Sequence, residues 1–130
     1  MLGLNVPGRH APLASTAVPA PESREGAGAP GVIVCRNCRR HITDPSQAVS
    51  INGVHAHTFA NPHGYVYDIG CFQSAVGCAI VPPSSTEFTW FSGYDWRLAL
   101  CGGCDAHLGW FFSGPGSSFF GLILERLAGD

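Results

Sequence analysis

The sequence predicts an all-β domain. Short apolar runs of strand length alternate with Gly, Pro, Ser and Asn, and no long segment carries a helical period. Four of the six cysteines fall into two C-x-x-C pairs, the kind of staple a small β domain needs. Apolar residues make up 45% of the 130 residues and charged residues 12%, enough to build one core and too little charge for a fully disordered chain.

In chain order, residues 1–31 hold five prolines and five glycines among many alanines and read as a disordered tail. The folded domain is expected over 32–130. Its candidate strands are Val32–Cys35, Ala48–Asn52, Val54–Phe59, Tyr65–Phe72, Ala79–Val81, Glu87–Phe91, Trp96–Cys101, His107–Phe112 and Phe119–Ile123. Pro82-Pro83, Ser92-Gly93 and Ser113-Gly114-Pro115-Gly116 punctuate them as turns. Only Gly121–Ala128 is expected to finish as a short helix, with Glu125 and Arg126 exposed.

The charge pattern excludes several function classes. All seven basic residues are Arg, and nine carboxylates outnumber them, giving a formal charge of −2. That is no footprint for nucleic acid or for an anionic membrane surface. No run approaches the ~20 apolar residues of a membrane span. The first segment lacks an uninterrupted apolar stretch, since Pro7, Pro12 and Pro19 break it, so a cytoplasmic location is the expectation.

In a reducing compartment the cysteines need a reason other than disulfides. Cys35-Arg36-Asn37-Cys38 and Cys101-Gly102-Gly103-Cys104 are separated by 62 residues. Two such turns give a tetrahedral four-thiolate site, the usual structural zinc arrangement, with no open coordination position. Gly102 and Gly103 are expected to supply positive φ. A redox dithiol and two disulfides are the competing readings; the redox motif belongs in a βαβ setting that this chain lacks. Cys71 and Cys78 have apolar neighbours and read as buried free thiols. A second metal site from His55, His57 and Cys71 is a weaker alternative, because His-Ala-His places both imidazoles on one strand face.

All three tryptophans lie between positions 90 and 110. Strand alternation pairs Phe88 with Trp90 and Trp110 with Phe112 on common faces. The Cys101–Cys104 turn brings the Trp96 and Trp110 strands together. Three indoles with Phe112 then form either an aromatic core or a small box. Gly93, Gly109 and Gly114 are expected to leave space beside the rings. A box of this kind suits a flat neutral ring with an amide edge, or a methylated ammonium assisted by Glu87 and Asp95. A thiol enzyme related to methionine sulfoxide reductases is a further alternative, although neither Cys71 nor Cys78 has an Arg or Lys beside it in sequence to activate it.

Asn61-Pro62-His63-Gly64-Tyr65-Val66, Ser85-Thr86-Glu87-Phe88-Thr89-Trp90-Phe91, Gly93-Tyr94-Asp95-Trp96 and His107-Leu108-Gly109-Trp110 resemble the CULT domain, the thalidomide-binding domain of cereblon, which also occurs as stand-alone bacterial proteins. Phe119-Phe120-Gly121-Leu122-Ile123 is similar to that family's closing segment. The resemblance implies two antiparallel sheets meeting at an angle and pinned by a Cys₄ zinc, the β-tent. It implies a ligand cage of Trp90, Trp96 and Trp110 completed by Phe112, with backbone groups of Phe88 and Trp90 meeting an imide edge and Asn61 at the mouth. The implied ligands are glutarimides such as thalidomide, succinimides, hydantoins, uracil-like rings or a peptide end carrying a cyclic imide. The family often has His where this chain has Phe88, so a side-chain hydrogen bond from that position is lost. The chain has nothing resembling the Lon-like and adaptor-binding regions of cereblon, so a degradation role is not expected to carry over; the aromatic box, with no activated nucleophile beside it, makes a binding module rather than an enzyme the expectation. Zero Lys and abundant Ala, Gly, Pro and Arg fit a GC-rich bacterial gene.

Overall fold

The computed structural model describes residues 31–129. The tail expected over 1–31 lies outside the described residues apart from Gly31. Nine strands form two antiparallel sheets: β1 (Ile33–Cys35), β2 (His41–Thr43), β3 (Ala56–Ala60), β4 (Val66–Phe72), β5 (Cys78–Ser85), β6 (Asp95–Cys101), β7 (His107–Ser113), β8 (Ser118–Ile123) and β9 (Leu127–Gly129). The small sheet has the order β2-β1-β9 and the large one β3-β4-β8-β7-β6-β5. The expected all-β class with two antiparallel sheets is what the structure has. Among the described residues no helix is long and apolar enough to cross a membrane.

Register assigns the two faces of the large sheet. Trp96 opposes Phe112 and Leu98 opposes Trp110 across β6–β7, while Trp110 opposes Gly121 and Phe112 opposes Phe119 across β7–β8. Directly opposed residues point the same way, so one face collects the aromatics: Trp96, Trp110, Phe112 and Phe119 join Phe59, Ile69, Trp90 and Phe91 in one buried cluster. The other face carries Phe72, Ala99, Leu108, Phe120 and Leu122, which the small sheet covers with Cys35, Ile42 and Leu127. The small sheet sits close: a side chain at Gly77 would run into the β2 backbone at His41 and Ile42. Gly77 N–H donates to Ile42 O (3.0 Å) and Thr43 Oγ1 donates to Ser74 O (2.7 Å) across the same junction.

Several sequence expectations change. Residues 48–52 form no strand but contribute isolated bridges, Ala48 with Phe72 and Ile51 with Val54, around a turn at Asn52 (φ 54°) and Gly53 (φ 90°). Glu87–Phe91 is not a strand either. Phe88 adopts φ 57°, which ends extended structure there. β5 continues through Pro82-Pro83 instead of turning, as an edge strand can, because its outer N–H groups need no partner. The chain end makes one 3₁₀ turn at Leu124–Arg126 and then strand β9, not a helix running from Gly121 to Ala128.

Candidate functional site: a four-cysteine centre and an aromatic cavity

The two C-x-x-C turns are copies of one local geometry. Cys35 N–H donates to Arg40 O (2.8 Å) and Arg39 N–H to Cys35 O (2.8 Å); Cys101 N–H donates to Ala106 O (2.8 Å) and Asp105 N–H to Cys101 O (2.9 Å). In each copy the residue after the second cysteine takes the left-handed conformation, Arg39 at φ 69° and Asp105 at φ 65°. The positive φ expected of Gly102 and Gly103 therefore falls on Asp105, beyond the second cysteine. Their missing side chains instead make room for Arg40, whose atoms lie 3.2–3.3 Å from where those Cβ atoms would stand.

The four sulfurs of Cys35, Cys38, Cys101 and Cys104 lie within 4.8 Å of one another. Cys35 and Cys104 Sγ are 3.7 Å apart, and Cys38 and Cys101 Sγ are 3.5 Å apart. Four thiolates ~2.3 Å from a tetrahedral ion stand about 3.8 Å from each other, so the donor set and its spacing fit a metal. Asn37 Nδ2 donates to Cys104 Sγ (3.2 Å) and Gly103 N–H to Cys101 Sγ (3.3 Å), bonds that favour thiolates. The Asn37 amide, helped by the Ala106 backbone, draws the Cys104 thiol down to about 7. Thus four cysteines from the two sheets form a site able to hold a metal ion.

Two cysteines, Cys71 and Cys78, lie outside this group. Burial pushes the Cys71 thiol well above its usual range, and burial followed by the nearby Cys101 and Cys35 pushes Cys78 up to about 12. Of the weaker second metal site, His55 Nδ1 meets Val49 O (3.1 Å) while His57 Nε2 meets Ile51 O (3.1 Å) and Val54 O (3.2 Å). Both imidazoles are occupied in holding the 49–54 loop. Among the described residues only the four-cysteine group is clustered as a metal site.

The aromatic face opens into a cavity of about 450 Å³ lined by Asn61, Tyr67, Val81, Pro82, Pro83, Ser85, Trp96, Leu98 and His107. Two of the residues expected at a ligand site, Trp96 and Asn61, are on its wall. Trp96 Nε1 donates to Glu87 O (2.9 Å), tying the turn at 87–88 to the cavity. Asn61 Oδ1 accepts from the N–H groups of His63 (3.0 Å) and Tyr65 (2.9 Å), so its carbonyl shapes the loop and leaves its amide nitrogen for other partners.

Trp90, Trp110 and Phe112 are fully buried behind this wall. Trp90 and Trp110 meet edge to face at 4.9 Å, and Trp90 stacks on Phe59 at 4.8 Å. A flat ring cannot pass between them without parting them. Phe112 packs into the core against Phe91 (4.9 Å) and Phe119 (5.2 Å). Phe88 is 55% exposed and outside the cavity lining. The space expected beside two glycines is filled: Gly109 lies against the Gly121 backbone, and the Tyr94 ring covers Gly114. Of the three glycines expected to leave space, Gly93, at φ 87°, is the one that opens to it.

Tyr67, His107, Pro82 and Pro83 were not expected at the cavity. Pairing could have found part of this wall, because Ser85 opposes Trp96 and Val81 opposes Leu98. His107 and Tyr67 each lie edge-on to Trp110, at 4.9 and 5.3 Å. Trp110 Nε1–H is buried between such rings with no hydrogen-bond partner among the described residues. His107 Nε2–H donates to Gly109 O (2.9 Å), and burial keeps its imidazole below its usual pKa. Arg126 donates to His107 O (2.9 Å) and lies 5.8 Å over the Tyr67 ring, bracing the back of the wall.

Comparisons with known proteins agree with this architecture. No family model matches the chain. It is 34% identical over 84 residues to protein cereblon of Danio rerio, covering 62% of this chain and 19% of that protein, with the same figures for protein cereblon of Xenopus tropicalis. To protein cereblon of Drosophila melanogaster it is 34% identical over 100 residues, covering 74% of this chain and 17% of that protein. The chain spans less than a fifth of the length of these relatives. Among solved structures it is similar to the crystal structure of the Mis18 'Yippee-like' domain, with a TM-score of 0.52 and 14% identity, covering 78% of this chain and 95% of that one. That likeness concerns the fold alone.

Proposed function

We propose, on the premise that the chain is a cereblon-related, CULT-like domain, that it is a zinc-stabilised binding module for a neutral cyclic imide or a uracil-like ring. Support for zinc comes from the four-thiolate donor set, which leaves no position for substrate and makes the ion structural. The observation that carries the ligand reading is the cavity: an indole face at Trp96, the amide of Asn61, and the unpartnered Trp110 Nε1–H behind its His107 and Tyr67 wall. Its volume falls in the range of small-molecule sites. Apolar walls reward a flat ring through dispersion, and a few fixed polar groups orient its edge. Beside Phe88 the Glu87 backbone is already engaged, its N–H by Ser85 Oγ (3.0 Å) and its carbonyl by Trp96 Nε1–H (2.9 Å), so an imide edge there is left the backbone of Phe88 itself.

No carboxylate lines the cavity. This favours a neutral ring over the quaternary ammonium that Glu87 and Asp95 were expected to assist. Binding without catalysis is favoured because the thiols outside the metal site, Cys71 and Cys78, are held protonated, and the thiolate is the nucleophilic form. A ring of about eight heavy atoms gains at most ~1.5 kcal/mol per atom and in practice less, so micromolar affinity is expected. The test is a titration of the zinc-loaded chain with glutarimide, uracil and trimethyllysine, read by tryptophan emission and by calorimetry. Saturable micromolar binding of the imide supports the proposal. No heat and unchanged emission with glutarimide and uracil, or binding of trimethyllysine alone, overturn it.

A further inference from the structure

Strand β8 stops before its two neighbours do. Its last rungs pair Leu122 with Gly109 of β7 and Ile123 with Ile69 of β4, and the chain then turns off through Leu124–Arg126. β7 and β4 flank β8 in the sheet, and both extend beyond those rungs, to His107 and Tyr67. A lane one strand wide is left between these two residues, with no backbone partner from β8. Arg126 reaches back into it. Its guanidinium donates to His107 O (2.9 Å) and lies 5.8 Å over the Tyr67 ring. One side chain thus supplies the hydrogen bond that the departed strand would have given and a cation for the face of the ring beside it. The Arg126 backbone is engaged separately: its carbonyl accepts from Arg36 N–H (3.0 Å) in the first cysteine turn, a bond that a side-chain substitution does not delete.

His107 and Tyr67 are where this lane meets the cavity, and both pack edge-on to Trp110. Arg126 is not in the lining, so a fixed positive charge stands behind that wall, and no carboxylate in the lining offsets it. The wall feels the charge: burial first, and the Arg126 charge more weakly, keep the His107 imidazole below its usual pKa. A charge that opposes a proton on His107 also opposes any other cation brought to the same wall.

We propose that Arg126 is the positioning and specificity residue of the ring site: it holds His107 and Tyr67 as the back wall of the cavity and turns that cavity against cationic ligands. The inference rests on the imide reading above and sharpens it. A neutral ring presents carbonyl oxygens with partial negative charge, which the cation behind the wall attracts. A quaternary ammonium of similar size meets like charge with nothing in the lining to compensate. The selection comes from this repulsion as much as from the fit of the ring.

The experiment titrates the zinc-loaded full chain, Arg126→Lys and Arg126→Met with glutarimide by calorimetry, and measures tetramethylammonium at millimolar concentration by its displacement of glutarimide. Melting temperatures are recorded alongside. Lys keeps the charge and a donor; Met keeps bulk and loses both. Expected are an imide affinity about tenfold weaker for Arg126→Met and within about threefold of wild type for Arg126→Lys, since only Met leaves the His107 carbonyl without its partner. The ratio of imide to ammonium affinity should fall at least tenfold in Arg126→Met and hold in Arg126→Lys. Should Arg126→Met fail to fold, Arg126→Gln, which keeps a donor without the charge, is read for the ratio in its place. An imide affinity indifferent to Arg126→Met, or an unchanged ratio in the uncharged variant, would overturn the proposal, because a merely structural brace weakens both ligands alike. A wild-type chain that binds no glutarimide defeats the imide reading itself, whereas a wild type that binds and uncharged variants that keep its selectivity defeat this inference only.

Discussion

The two faces of the large sheet are held by opposite strategies. One is covered by a second sheet and tied at its end by four sulfurs at fixed spacing. The other is covered by loops and held by ring contacts, each worth ~0.5–1.5 kcal/mol beyond its buried area. A few strong directional bonds make the first face brittle: lose one and the tie goes. Many weak contacts make the second tolerant, so it can leave one flank open as a cavity without losing its core.

The largest effect that would sharpen this contrast is loss of the metal. Structural zinc sites contribute ~10–16 kcal/mol in peptides, as much as the ~5–15 kcal/mol stability of a whole domain. Chelation or Cys35→Ser should abolish cooperative thermal unfolding followed by circular dichroism; a melting temperature indifferent to both would break the comparison.

Next come the rings. Phe112→Ala empties a buried site and should cost ~3–5 kcal/mol in denaturant titrations. Trp96→Ala also removes a buried indole, but from the cavity wall, so it should in addition weaken imide binding tenfold or more. Equal binding losses for the two variants, after correction for folded fraction, would mean that core and wall are not separable.

A smaller effect is set by pH. Burial lowers the His107 pKa, so the unfolded chain binds its proton more readily than the folded one. The stability tied to a neutral His107 is complete above the unfolded value of about 6.5 and declines as pH falls below it towards the depressed folded value. Melting temperatures measured downward from pH 7 should drop, and His107→Gln should flatten that part of the profile. The smallest effect is expected at Phe88, exposed and at positive φ: Phe88→Gly relieves the left-handed conformation but loosens the unfolded chain, for a net change within ~1 kcal/mol.

The same contrast explains what the sequence made legible. The cysteine spacing carries its geometry locally, so the metal site and its four residues could be read directly. The faces of β6 and β7 followed from alternation, which correctly put Trp110 with Phe112. The role of each ring did not follow, because Phe112 in a core and Trp96 on a cavity wall have the same local signature. The difference lies in which loops cover them, set by long-range pairing. Tyr67 and His107 reach the cavity through registers between distant strands, and Pro82-Pro83 read as a turn because a diproline edge strand looks like one in isolation. β2 was missed because three residues, His41–Thr43, are too few for any period.

The most direct test of the account is a crystal structure of the zinc-loaded chain soaked with glutarimide. The account predicts one ion bound by Cys35, Cys38, Cys101 and Cys104, and the imide ring against Trp96 within the Asn61–His107 cavity. An ordered ring elsewhere on the surface, or an empty cavity at millimolar ligand with the ion in place, would contradict it.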